Sequence, residues 1–161
     1  MKVLLGICGS ISAYKSCDIV SGLIATGNEV KIIMTKASLK FAPIEALKTL
    51  SKNDVLVESD GLEHIELSEW CDCMSIAPAT LNTINKIYYG ISDNLLLDAC
   101  SALPKGKKRL IFPAMNTNML GKMKLPKDWY VSDTDIGVLA CGIEGNGKLL
   151  KARKIVEIIN S

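Results

Sequence analysis

The stretch Lys2-Val3-Leu4-Leu5-Gly6-Ile7-Cys8-Gly9-Ser10-Ile11-Ser12-Ala13 decides the fold class. Its apolar opening reads as a buried strand over residues 2–8. Small residues then form a tight loop, and residues 12–26 read as a helix with an apolar face at Ala13, Cys17, Val20 and Ile24. Gly27-Asn28 ends that helix. Small residues let a backbone approach a ligand closely, and a helix N-terminus carries partial positive charge. The loop therefore suits a phosphate. Ser10 or Ser12 could equally cap the helix.

The same unit recurs along the chain. Residues 29–35 read as a second strand and 43–50 as a short helix begun by proline. Residues 71–77 read as a third strand, with Cys71 and Cys73 on one face. Two helices, 81–89 and 93–103, follow on either side of Gly90. Residues 108–112 and 129–132 read as further strands. Residues 148–160 form a closing helix, apolar at Leu149, Ile155, Val156 and Ile159. This alternation predicts an α/β fold: a doubly wound parallel sheet in three layers, Rossmann-like, within a single domain over residues 1–161.

Composition supports a globular domain. The 161 residues are 48% hydrophobic and 22% charged, with a net charge of +2. So small a charge does not argue for nucleic acid. The basic cluster from Lys105 to Arg109 reads as a solvated lead-in to a strand. No apolar run approaches the roughly 20 residues needed to span a bilayer, so no membrane partner is expected and the chain is expected to be cytoplasmic. Six cysteines, at positions 8, 17, 71, 73, 100 and 141, include no C-x-x-C pair. With His64 the single histidine, no metal site is expected.

Two strand ends carry chemistry. The apolar run Arg109-Leu110-Ile111-Phe112 stops in Pro113-Ala114-Met115-Asn116-Thr117-Asn118-Met119. A strand that ends in proline and then offers an amide is a ligand-facing strand end. The second strand ends Ile33-Met34-Thr35-Lys36, where a dinucleotide fold usually carries Asp or Glu for the ribose. A hydroxyl and an amine there suit a phosphate. The first loop is neither G-x-x-x-x-G-K-S/T nor G-x-G-x-x-G. These features point to a mononucleotide such as FMN rather than NAD.

Seven segments, in order, resemble the flavin-dependent cysteine decarboxylase family, most closely its phosphopantothenoylcysteine decarboxylases. They begin with Gly9-Ser10-Ile11-Ser12-Ala13-Tyr14-Lys15, Met34-Thr35-Lys36-Ala37 with Phe41, and His64-Ile65-Glu66-Leu67 with Trp70. Next come Ala77-Pro78-Ala79-Thr80-Leu81-Asn82-Thr83 and Asp93-Asn94-Leu95-Leu96. The last are Pro113-Ala114-Met115-Asn116 with Met119, and Ala140-Cys141-Gly142 with Gly145 and Gly147. The resemblance implies FMN contacts from Gly9, Ser10, Ile11, Thr35, Phe41, Thr80, Asn82, Thr83 and Ala114. It implies His64 as base, Cys141 as proton donor, and substrate contacts from Asn116, Ala140, Gly142 and Lys148. The implied substrate is a phosphorylated cysteine amide. Thiol oxidation to a thioaldehyde would let CO2 leave, and reduction of the ene-thiol would close the cycle. A homotrimer or dodecamer with FMN at the subunit interface is also implied.

The match departs in places. Leu81 stands where relatives often have Ala, Lys148 where they have Arg, and Glu69 where some have Arg. The stretch from Leu120 to Ile136 is shorter than usual, and no fused synthetase domain is expected. Two other members of the wider family are alternatives. Peptidyl-cysteine oxidative decarboxylases stop at the ene-thiol without a reductive cysteine loop, which Ala140-Cys141-Gly142 disfavours. Phosphatase-regulatory flavoproteins carry long acidic tails, and this sequence has none. A flavin prenyltransferase does not suit the His64 and Asn116 motifs.

Overall fold

The computed structural model describes residues 1–161. Strand β1 (Lys2–Ile7) leads through a 3-10 turn (Ile11–Lys15) into helix α1 (Ser16–Ala25). There follow β2 (Glu29–Met34), a second 3-10 turn (Lys36–Lys40), α2 (Ile44–Ser51), β3 (Val55–Leu56) and α3 (Glu63–Trp70). Then come β4 (Cys73–Ala79), α4 (Leu81–Tyr89), α5 (Leu95–Ala102), β5 (Lys108–Pro113) and α6 (Thr117–Leu120). Strands β6 (Tyr130–Val131), β7 (Asp135–Val138) and β8 (Glu144–Lys148) precede α7 (Ala152–Asn160). No helix is long and apolar enough to cross a membrane.

Six strands form one parallel sheet in the order β3-β2-β1-β4-β5-β6. Both faces are covered, which is why its strands read as near-continuous apolar runs. In β1, Val3, Leu5 and Ile7 join the core under α1, α2 and α7, while Leu4 joins the core under α3, α4 and α5. The largest fully buried side chain, Phe112, sits in the first of these cores. The three-layer α/β sheet expected from the sequence is the one observed.

Several local readings change. Residues 12–26 split into a 3-10 turn and α1, and the buried stripe of α1 is Ser16, Ile19, Val20 and Leu23, with Cys17 and Ile24 only flanking it. The crossing of α1 with α7 selects that stripe: a Cβ on Gly22 would lie 2.9 Å from Val156. Cys71 follows α3 and belongs to one core, whereas Cys73 opens β4 and belongs to the other, so they do not share a face. Helix α7 starts at Ala152, because Lys148 closes β8 and Leu149 and Leu150 are buried in the connection.

The basic cluster is more than a solvated lead-in. The Lys107 ammonium donates to the Glu69 carbonyl at 3.1 Å, at the end of α3. Lys108 donates to the carbonyls of Ile158 and Ile159 in α7, and Arg109 to those of Leu103 and Pro104 after α5. Three neighbouring cations thus satisfy the free carbonyls of three helix C-termini.

Candidate active site

The order β2-β1-β4 reverses between β1 and β4. From β1 the chain turns to α1 on one face, and from β4 to α4 on the other. Such a reversal opens a crevice at the carboxyl ends of the strands. Hydroxyls tie its two walls together. Thr80 caps α4 by accepting the Thr83 N–H at 3.4 Å and donates its own hydroxyl to Thr83 Oγ1 at 3.3 Å. The Cys8 thiol, at the end of β1, donates to the same Thr83 oxygen at 3.3 Å. Burial pushes the Cys8 thiol up, against hydrogen bonds that lower it, so it serves as a protonated structural donor.

Two cavities open on this crevice, sharing Gly9, Thr80, Leu81 and Met119 as a common wall. The first, about 560 Å³, is lined by Ser10, Ile11, Ala114, Asn116, Ala140, Cys141 and Lys148. No acidic residue lines it, while Lys15 and Lys148 do. The second, about 790 Å³, is lined by Thr35, Asn82, Thr83 and Asn94, with the ion pairs Lys36–Glu58 and Lys86–Asp93 among its lining residues.

The second cavity has a feature that points to a ligand. Thr35 Oγ1 is buried without any hydrogen-bond partner. Thr35 also precedes the 3-10 turn as its cap residue, yet its side chain makes no capping bond. Such an orphaned hydroxyl costs free energy unless something bonds to it. Leu81 and Asn82 open the first turn of α4, whose N–H groups lack intrahelical partners. Thr35 and the first turn of α4 border the same cavity, and an orphaned hydroxyl beside free helix N–H groups is a donor set that suits a phosphate monoester.

In the first cavity Asn116 is held by its own helix. Its Oδ1 accepts the Asn118 N–H at 2.9 Å as the cap of α6. That bond turns the amide nitrogen toward Cys141, whose Sγ accepts from Nδ2 at 3.4 Å. Cys141 is the one exposed cysteine of the six and sits in the turn joining β7 to β8. The turn needs glycine: Gly142 has φ +81°. Gly147, at φ +120°, answers a close approach, since a Cβ there would lie 2.0 Å from the Met115 carbonyl oxygen.

The structure therefore brings Asn116, Cys141, Ala140, Lys148 and Ala114 together, with Gly9, Ser10, Ile11, Thr35, Thr80, Asn82 and Thr83 around the same crevice. Gly142 lies in the turn beside Cys141, outside the lining. Two residues stand elsewhere. His64 occupies the first turn of α3, half-buried, and lines neither cavity. Phe41 is 38% exposed and lines neither. Sequence reasoning assigned no role to Lys15, Asn94 or Leu139, which do line the cavities. The first two fall inside quoted motifs, which was the available signal.

A family model described as Flavoprotein matches residues 1–161. A probable phosphopantothenoylcysteine decarboxylase of Streptococcus mutans is 34% identical, over 98% of this chain and 96% of its own length. The coenzyme A biosynthesis bifunctional protein CoaBC of Borreliella burgdorferi is 36% identical over 98% of this chain. The chain spans only 43% of that protein. Among solved structures, a PPC decarboxylase mutant complexed with pantothenoylaminoethenethiol is similar with a TM-score of 0.84 and 28% identity, covering 99% of this chain and 96% of the other. With the family model matched along its whole length and a relative of similar size so close in sequence, the chain belongs to the Flavoprotein family, in the group that includes the phosphopantothenoylcysteine decarboxylases.

Proposed function

We propose that this protein decarboxylates the cysteine carboxyl of 4′-phosphopantothenoylcysteine to give 4′-phosphopantetheine, with FMN as cofactor. The observation that carries this reading is the Asn116–Cys141 contact, in a cavity that shares a wall with a second cavity holding an orphaned hydroxyl. The named relatives support it.

Gly9, Ser10, Ile11, Thr35, Thr80, Asn82, Thr83 and Ala114 would hold FMN, and Phe41, which lines neither cavity of its own chain, would reach it only across a subunit contact. When bound, FMN would supply the two-electron chemistry. The protein's own residues do the rest. The Asn116 amide, fixed by its capping bond, binds the substrate carboxylate or the adjacent amide. Lys148, in a cavity without carboxylates, attracts the substrate phosphate as a point charge rather than a bidentate fork. Cys141 gives a proton to the carbon left by CO2, and Ala140 and Gly142 hold the turn that presents it. His64 takes the proton released on thiol oxidation.

His64 stands outside both cavities of its own chain, which fits a homotrimer or dodecamer in which the flavin lies between subunits. Residues 1–161 are read as one flavoprotein decarboxylase domain, working in the cytoplasm. The test is an absorbance spectrum of the purified protein, then CO2 release from 4′-phosphopantothenoylcysteine by wild type and His64→Asn. Bound yellow flavin, turnover by wild type and loss of turnover by a folded variant are expected. Flavin-loaded protein inert on this substrate would overturn the assignment.

A further inference from the structure

We propose that Thr117 is a positioning residue for Cys141, setting whether the ene-thiol is reduced before it leaves. The inference rests on the function just proposed. Hairpin β7–β8 stands outside the main sheet and pairs only with itself. Its residues Ile136 and Val138 are 70% and 64% exposed, and Ile143, in its turn, is 66% exposed, so core burial does little to hold it. Three polar contacts join it to the strand end that carries Asn116. The Met115 N–H donates to the Gly147 carbonyl at 2.9 Å, the Thr117 hydroxyl donates to the Asn146 carbonyl, and Asn116 donates to Cys141.

These contacts are not equivalent. The first is a backbone bond at the foot of the hairpin, one residue from the Thr117 contact. The Asn116 bond ends on a weak sulfur acceptor and uses the amide that the substrate needs. Thr117 alone fixes the hairpin through a side chain that stays free of substrate. The room for it is built in: a Cβ on Gly145 would lie 2.5 Å from Thr117 Oγ1. Gly145 and Thr117 therefore form a matched pair, small residue against hydroxyl, on the arm that carries the proton donor.

Proton delivery by Cys141 follows CO2 loss, so a loosened hairpin leaves decarboxylation intact and weakens only the last step. The test uses single turnovers, with flavin-loaded enzyme in excess over substrate. Each ene-thiol released then leaves its two electrons on the cofactor, and no external oxidant enters the balance. Thr117→Val is expected to release CO2 within about twofold of wild type and to raise the ratio of ene-thiol to reduced product about fivefold, the weight of one ordinary hydrogen bond. Amide hydrogen exchange in residues 144–148 rises by a similar factor, and Thr117→Ser restores both. An unchanged product ratio, or loss of CO2 release at an unchanged ratio, would overturn the proposal. Absence of CO2 release from wild type would instead sink the assigned function, and the exchange comparison would still test the hydrogen bond.

Discussion

Replacing Thr35 by valine should move two properties in opposite directions. The side chain keeps its shape and β-branching, and only the hydroxyl is lost. That hydroxyl is buried without a partner and makes no capping bond. Its backbone work continues in the variant: the Thr35 N–H donates to the Ile7 carbonyl at 3.0 Å, and the Thr35 carbonyl accepts from the Ser38 N–H at 2.9 Å. An unsatisfied buried hydroxyl costs about 1–3 kcal/mol, and a methyl group in its place removes that cost. For a domain of this size each kcal/mol moves Tm by roughly 2–4 °C. The apo Thr35→Val protein should therefore melt at least about 2 °C above apo wild type.

Flavin binding should respond the other way. A hydrogen bond to a charged phosphate is worth about 1.5–3 kcal/mol, so FMN affinity should fall roughly ten- to hundredfold. Apo protein is prepared by removing the flavin. Melting is followed by circular dichroism, and affinity by quenching of FMN fluorescence on titration. A variant with lower apo Tm and unchanged FMN affinity would refute the reasoning, because the hydroxyl would then be serving the fold.

The cysteines give two further predictions. Cys141 is exposed, whereas burial pushes the Cys8, Cys71, Cys73 and Cys100 thiols up, and burial followed by Asp18 raises Cys17. Iodoacetamide at pH 8 should therefore modify one equivalent rapidly, and Cys141→Ser should abolish that phase while the slower thiols persist. Burial also lifts the Cys73 thiol from 9.0 to about 12, with Lys108 opposing. Because the folded value is the higher one, the stability this thiol contributes is complete below the unfolded value and drains away as pH rises toward the folded one, at about 1.4 kcal/mol per pH unit. Urea unfolding between pH 9 and 11 should show a slope shallower by one proton in Cys73→Ala. A slope equal to that of wild type would mean that burial does not hold the proton.

The framework was legible because burial writes itself into local periodicity. Residues 81–89 carry a helical stripe, and the longer sheet strands are short apolar runs bounded by turn residues. Helix α3 carried none: of Glu63–Trp70 only Leu67 and Ser68 are buried, so it shows no apolar stripe. Strand β3 has two residues and α6 four, too few to show a period. Hairpin β7–β8 shows an alternation without a core behind it, so its pattern is that of a loop. The basic cluster was misread because its partners are distant: Lys107 and Glu69 are 38 residues apart, and nothing near Lys107 announces a helix end there.

The site divides along the same line. Gly9 to Ile11 could be found because a tight loop before a helix is a local signal, whereas Thr80, Asn82 and Thr83 came from resemblance, although the Thr80 cap of α4 is a local signal too. Asn116 and Cys141 stand 25 residues apart and meet only because Gly147 lets β8 pass against the Met115 carbonyl. Neither residue's neighbours encode that meeting: the strand end ending in Pro113 marked the Asn116 amide as ligand-facing, and motif resemblance supplied the role of Cys141. Resemblance also named His64 and Phe41, and there one chain's geometry stops short: neither borders a cavity of its own subunit. In the assembly proposed above, a second copy would supply the contact that one chain does not make. For that reason the state of assembly should be measured together with His64→Asn. If the chain sediments as a monomer with full turnover and His64 proves dispensable, the base must be sought among the groups that already line the crevice.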